Sequence, residues 1–165
     1  RAKINYCILR YFNIAGSSLS GKIGLINKSD HLFKNYSREV LKKRPVFKVY
    51  GNNYDTKDGS CIRDFIHVSD IADIHYKVLL KINKLNKSKI LNCGYNKGVS
   101  VLDVAKAFKK QTSKNVKILV YKRRKGDLVK IIASNSKLKN FIKWKPKFNN
   151  LETIVKSCIN WEKRQ

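Results

Sequence analysis

The sequence predicts an α/β fold. Short apolar runs of strand length alternate along the chain with segments whose apolar residues recur at helical spacing, and turn or capping residues fall between them. The chain has 165 residues, of which 42% are hydrophobic and 10% aromatic. That is enough to bury roughly 70% of the unfolded surface, so a folded core is expected despite 37 Lys and Arg against 11 Asp and Glu.

Each element has a local reason. Tyr6-Cys7-Ile8-Leu9-Arg10-Tyr11-Phe12 is a buried strand running into a loop at Asn13-Ile14-Ala15-Gly16. Residues 16–30, with three Gly and with Ser17, Ser18, Ser20 and Asn27, read as loop. Leu32, Phe33, Tyr36, Val40 and Leu41 share a helical face; Lys42-Lys43-Arg44 suits its C-terminal end and Pro45 stops it. Phe47-Lys48-Val49-Tyr50 alternates as a strand toward Gly51, and Cys61 to Ile66 resumes an extended pattern after a polar loop. Ser69 or Asp70 is a candidate cap for a helix with Ile71, Ile74, Val78, Leu79 and Ile82 on one stripe. Lys89-Ile90-Leu91-Asn92-Cys93 is a strand closed by Gly94. Ser100 and Asp103 have capping-box spacing before a face of Val101, Val104, Ala105 and Phe108. Residues 116–121 alternate as a strand. A short helix follows around Ser136 to Ile142, then a break at Trp144-Lys145-Pro146 and a last helix from Leu151 to about Trp161.

Several function classes fall away. No apolar run approaches the roughly 18–20 residues that cross a bilayer, and the start lacks a signal-peptide core. Cys7, Cys61, Cys93 and Cys158 are scattered with no CxxC pair, so reduced thiols and a cytoplasmic setting are expected. Gly16 and Gly21-Lys22 spell a phosphate-loop pattern, but Ile23 stands where a magnesium-binding hydroxyl is needed. Tyr121 and Lys125 have YxxxK spacing but close a strand, so they would not share a helix face. His67 and His75 read as structural or capping residues rather than metal ligands. No GxGxxG pattern occurs. The formal charge of +26 invites a polyanion-binding reading, yet basic residues run from Lys3 to Arg164 without one dense block. Lys accumulation by compositional drift, with at most sequence-blind nucleic-acid binding, is the expectation. The chain opens on Arg1 and contains no Met, so a piece of a longer protein is expected.

What remains are polar groups at strand ends: Asn13, Arg63, Arg124 and Asp127. Parallel α/β sheets bind ligands at their carboxyl ends. Two guanidiniums suit a pyrophosphate and a carboxylate suits a ribose diol. A nucleotide-linked ligand is one reading of these residues, and solvated surface charge is the other.

Longer stretches carry a resemblance. Leu9-Arg10-Tyr11-Phe12-Asn13-Ile14-Ala15-Gly16, residues 50–75 with Gly59-Ser60-Cys61-Ile62-Arg63-Asp64-Phe65-Ile66-His67-Val68-Ser69-Asp70 at their centre, Asn92-Cys93-Gly94, Ser100-Val101-Leu102-Asp103-Val104, Arg123-Arg124-Lys125-Gly126-Asp127 and Trp144-Lys145-Pro146-Lys147 occur in the order found in the UDP-glucose 4-epimerases. These are extended short-chain dehydrogenases/reductases, and the resemblance covers essentially all 165 residues. It implies a Rossmann-related α/β chain, residues 1–165 being the C-terminal UDP-sugar-binding region, with the N-terminal NAD-binding domain and the catalytic Tyr-x-x-x-Lys upstream. No catalytic residue is then expected within the chain, which would not turn over alone. NAD is the implied cofactor. UDP-glucose, UDP-galactose, an N-terminal half and a second copy of the full enzyme are the implied partners. The rival reading is a decayed or repurposed basic module.

By the same resemblance, Asn13 contacts the substrate phosphates, Arg63 and Arg124 clamp the pyrophosphate, and Asp127 takes the ribose. Leu32, Lys48, Val49 and Tyr50 line the uracil pocket, while Tyr11 and Phe12 lie at the nicotinamide end. His31, Lys34, Leu25, Ile26, Phe65 and Ile131 depart from the family pattern. They leave the phosphate clamp intact.

Overall fold

The computed structural model describes residues 4–26 and 31–165. Asn27, part of the expected loop, lies outside them. Nine short strands and five helices alternate among the described residues. β1 (Cys7–Tyr11) pairs in parallel with β6 (Lys89–Cys93), and β2 (Asn13–Ala15) with β5 (Phe65–His67). β3 (Val46–Tyr50) pairs in parallel with β8 (Lys117–Tyr121). β4 (Ile62–Arg63) lies between β7 (Val99–Ser100), antiparallel, and β9 (Lys130–Ile131), parallel. The parallel pairs need helical crossovers, which α1 (Leu32–Leu41), α2 (Val68–Ile82) and α3 (Val101–Lys109) help supply. α4 (Ser136–Ile142) and α5 (Leu151–Glu162) complete the chain.

The core follows from the periodicities. α1 turns Phe33, Tyr36 and Val40 inward, against Phe47 of β3 and Phe108 of α3. The Tyr36 and Phe47 rings stack at 4.3 Å, and Phe108 meets Phe33 and Tyr36 edge-on at 5.5 and 5.7 Å. Such offset and edge contacts add to burial, which dominates core stability. α1 packs on both α3 and α5. The Lys34 side chain, buried inside this layer, is ion-paired with Glu162 of α5 and donates to the Leu25 carbonyl.

Four sequence expectations need correcting. The first strand, read as buried, leaves Tyr6, Ile8 and Tyr11 exposed, because β1 lies at the edge of its pair with β6 among the described residues. The cap of α2 is His67, whose Nδ1 accepts the Ser69 N–H at 3.1 Å, rather than Ser69 or Asp70. Asp70 is instead buried, accepting the Tyr95 hydroxyl at 2.6 Å and the N–H groups of Lys147 and Phe148. Leu79, expected on the apolar stripe of α2, is 66% exposed; its helix buries Ile71, Ile74 and Val78. Asn13–Ala15, read as the start of a loop, continues as a strand because β5 offers it a parallel partner.

Candidate functional site

A cleft of about 620 Å³ opens between α1 and the strands β3 and β4; Asn13 and Phe65 reach it from the first residues of β2 and β5, and Arg124 and Asp127 from the segment after β8, so it is not confined to the carboxyl ends of the strands. Asn13, Leu32, Lys48, Tyr50, Arg63, Arg124 and Asp127 all line it, together with His31, Tyr36 and Cys61. That volume suits a small-molecule ligand. Residues separated by more than 110 positions in sequence meet there because parallel pairing sets β2 beside β5 and β3 beside β8.

The two arginines are held differently. Arg63, buried in β4, donates through Nη1 to the carbonyls of Ile62 at 2.9 Å and Leu128 at 2.8 Å. Its Nη2 faces Asp127 Oδ1 at 3.4 Å. Arg124, three residues beyond β8, lays its guanidinium 4.0 Å above the ring of Tyr50. Tyr50 is paired in register with Tyr121, and their rings lie 5.6 Å apart. One cation is thus fixed by backbone acceptors and the other by an aromatic face, and both line the cleft.

The wall opposite is α1. The Tyr36 hydroxyl donates to the Lys48 carbonyl at 2.8 Å, tying helix to strand, and burial pushes that phenol's pKa upward. His31 caps the entry to α1, with Nε2 2.7 Å from the Ile14 carbonyl oxygen; burial lowers its pKa, which that carbonyl partly offsets. Burial also raises the Cys61 thiol, so it stays protonated at neutral pH.

Val49 departs from its sequence assignment. Strand alternation turns Val46, Lys48 and Tyr50 to the cleft and buries Val49 completely on the other face. Tyr11 and Phe12 lie at the end of β1, outside the cleft lining. Tyr11 is about half exposed and its hydroxyl is 2.6 Å from Nε2 of His75. His31 and Tyr36 are cleft residues that a strand-end search passes over, because they come from a helix and its cap. All four cysteines are free, and no cluster of metal-ligating side chains occurs among the described residues. No described helix is long and apolar enough to cross a membrane.

The chain is similar in sequence and in fold to known proteins. A UDP-glucose 4-epimerase of Azospirillum brasilense is 38% identical over 157 residues, 94% of this chain and 45% of that protein. The crystal structure of a UDP-glucose 4-epimerase from Stenotrophomonas maltophila, with NAD and formylated UDP-arabinopyranose bound, superposes with a TM-score of 0.92 at 30% identity. It covers 99% of this chain and 49% of that one. The Bifidobacterium longum enzyme in complex with NAD+ and UDP superposes at 0.86 with 31% identity, over 97% of this chain and 48% of its own. The chain therefore spans about half the length of the relatives it matches. A sequence model described as the NAD dependent epimerase/dehydratase family matches residues 1–94, and the chain belongs to that family.

Proposed function

We propose that residues 1–165 form the C-terminal, UDP-sugar-binding lobe of an NAD-dependent UDP-glucose 4-epimerase, which interconverts UDP-glucose and UDP-galactose. The observation that carries this reading is the convergence of Asn13, Arg63, Arg124 and Asp127 on one cleft walled by Leu32 and Tyr50. A pyrophosphate bound there neutralises both guanidiniums through charge-assisted hydrogen bonds. The Asp127 carboxylate accepts from the ribose hydroxyls, and Leu32 and Tyr50 offer apolar surface to the uracil. Asn13, which takes part in β2 pairing, adds an amide toward the phosphates.

The described residues do not by themselves build a dinucleotide cradle. No glycine-rich strand-to-helix turn is present among them, and the Tyr11 hydroxyl already has His75 as a partner. In this reading NAD and the acid–base tyrosine belong to the other half of the enzyme, with Tyr11 and Phe12 at the seam. Two features support such a seam. β1 has a strand partner on one side only among the described residues, and Ile8 and Ile90 of the β1–β6 pair, with Tyr6 just before it, are exposed apolar side chains.

Titration calorimetry tests the assignment. UDP added to the lobe, joined to an NAD-binding half, should bind saturably with one site per chain. Absence of saturable binding would overturn the reading.

A further inference from the structure

The two cleft residues that come latest in the sequence, Arg124 and Asp127, sit on an exposed segment between β8 and β9. Gly126 within it has a φ of +85° and nothing near the position of a Cβ, so the turn itself has no packing support. The segment's far end is tied to β4, where Arg63 Nη1 donates to the Leu128 carbonyl at 2.8 Å and the Ile62 N–H to that of Val129 at 2.9 Å. Nearer β8, over residues 123–127, side-chain contacts hold it down at three places. Two of them, Arg124 on Tyr50 and Asp127 on Arg63, use the groups that the ligand needs. The third does not. Arg123 places its guanidinium 4.0 Å above the ring of Tyr54 and donates through Nε to Asn53 Oδ1 at 2.6 Å. Tyr54 is 4% exposed, and its backbone N–H is bonded to Gly59, so the platform is fixed. Gly51 makes room for it. A Cβ there would come within 2.4 Å of the Tyr54 ring and 2.8 Å of Arg123 Cγ, and its φ is +84°.

We propose that Arg123 is a positioning residue for nucleotide-sugar binding. Clamped on Tyr54 and Asn53, it holds residues 123–127 in place before the ligand arrives and keeps its hold after Arg124 and Asp127 turn to the ligand. This rests on reading the cleft as a UDP-sugar site. The pairing is a division of labour between adjacent arginines: one binds the body of the lobe, the other the phosphate. Its physical effect is to remove ordering entropy from the binding step.

The test is UDP affinity by calorimetry in the enzyme, at about 0.1 M and about 1 M salt, with melting temperature recorded for each variant. Arg123→Gln removes the clamp and a charge. Tyr54→Leu removes the platform and leaves the charge. Tyr54→Phe keeps the ring and deletes a hydroxyl that has no partner. Arg123→Gln and Tyr54→Leu should each raise the Kd about tenfold, the cost of re-ordering a short segment. The loss should persist at high salt, where screening over about 3 Å removes any general charge effect. Tyr54→Phe should bind as the parent does. If Arg124→Ala fails to weaken UDP, the cleft assignment itself is wrong. If Arg124→Ala weakens UDP while Arg123→Gln and Tyr54→Leu do not, the positioning role is overturned and the site stands. A loss with Arg123→Gln that disappears at high salt, or one matched by Tyr54→Phe, also overturns it.

Discussion

The carboxylate of Asp64 accepts the backbone N–H of Tyr95 at 2.8 Å. Its second oxygen takes the N–H groups of Asn96 at 2.9 Å and Ala133 at 3.1 Å. Asp64 is fully buried and stands between the cleft residue Arg63 and the core residue Phe65. One side chain thus joins the strand that carries Arg63 to two other chain segments. Asp64→Asn presents an amide NH2 to N–H donors and leaves buried groups unsatisfied. It should cost about 3 kcal/mol of stability, read by urea denaturation. A change under about 1 kcal/mol would show that the junction is not supported this way.

Arg124 is exposed and makes its main contact with Tyr50, so its removal should leave the fold intact. Arg124→Ala should weaken UDP binding by about 2–3 kcal/mol, as expected for a charge-assisted phosphate contact. Arg63→Ala should weaken binding by as much and also lower the melting temperature, because Arg63 bonds the Leu128 carbonyl. Calorimetry that finds unchanged affinity in both variants would relocate the pyrophosphate.

Helix α1 and strand β6 were legible to the residue, because their periodicity agrees with their burial. The strand-end residues Asn13, Arg63, Arg124 and Asp127 were legible as a set once parallel pairing was assumed. Strands β2, β7 and β9 were not, since two or three residues carry no periodicity and exist only by pairing with a partner. His67, which the sequence allows as a structural or capping residue, does not stand out as the cap of α2. Histidine is a weaker signal than the adjacent Ser69 and Asp70, and tertiary contacts from Tyr95, Lys147 and Phe148 claim Asp70. Val49 was misplaced by carrying a run of neighbours into a pocket that strand alternation divides.

His67 makes the stability of the fold depend on pH. Its ring is fully buried, accepts from Ser69 and lies 3.3 Å from the Ser157 hydroxyl. Burial holds its pKa below 6.5, with Asp70 acting in the opposite sense. The unfolded chain therefore binds the proton first as pH falls, and stability declines below about pH 6.5. His31 adds to the same trend. The melting temperature should be lower at pH 5 than at pH 7. In His67→Gln that difference should shrink, while the melting temperature falls at both pH values. An unchanged slope in the variant would assign the dependence elsewhere.

The basic surface makes a separate prediction. Lysines are exposed on α3, α4 and α5 and on several strands and loops, whereas Lys34 of α1 is paired internally and Lys77 and Lys81 of α2 are half-buried. Binding to DNA or RNA should be sequence-blind and should weaken by orders of magnitude between about 50 and 200 mM salt. An oligonucleotide held about a thousandfold tighter than random competitor would contradict this.

The last helix has a hold on the first residues of the site. Trp161 Nε1 donates to the Leu25 carbonyl across 136 positions of sequence, the Ser17 N–H bonds the Ser157 hydroxyl across 140, and Arg164 reaches the Ser20 carbonyl across 144. Glu162 meanwhile clasps Lys34 in the helix that forms one wall of the cleft. During synthesis, residues 17–41 leave the ribosome long before any of these partners exist. Phe33 and Tyr36 of the helical wall find Phe47 and Phe108 earlier, but Lys34 and the backbone groups of Ser17, Ser20 and Leu25 wait for their partners until α5 and the residues just after it have been made. The cleft lining is complete at Asp127, yet the buried charge in its helical wall is neutralised only when Glu162 is available, so the last tenth of the chain stabilises a site that it does not line.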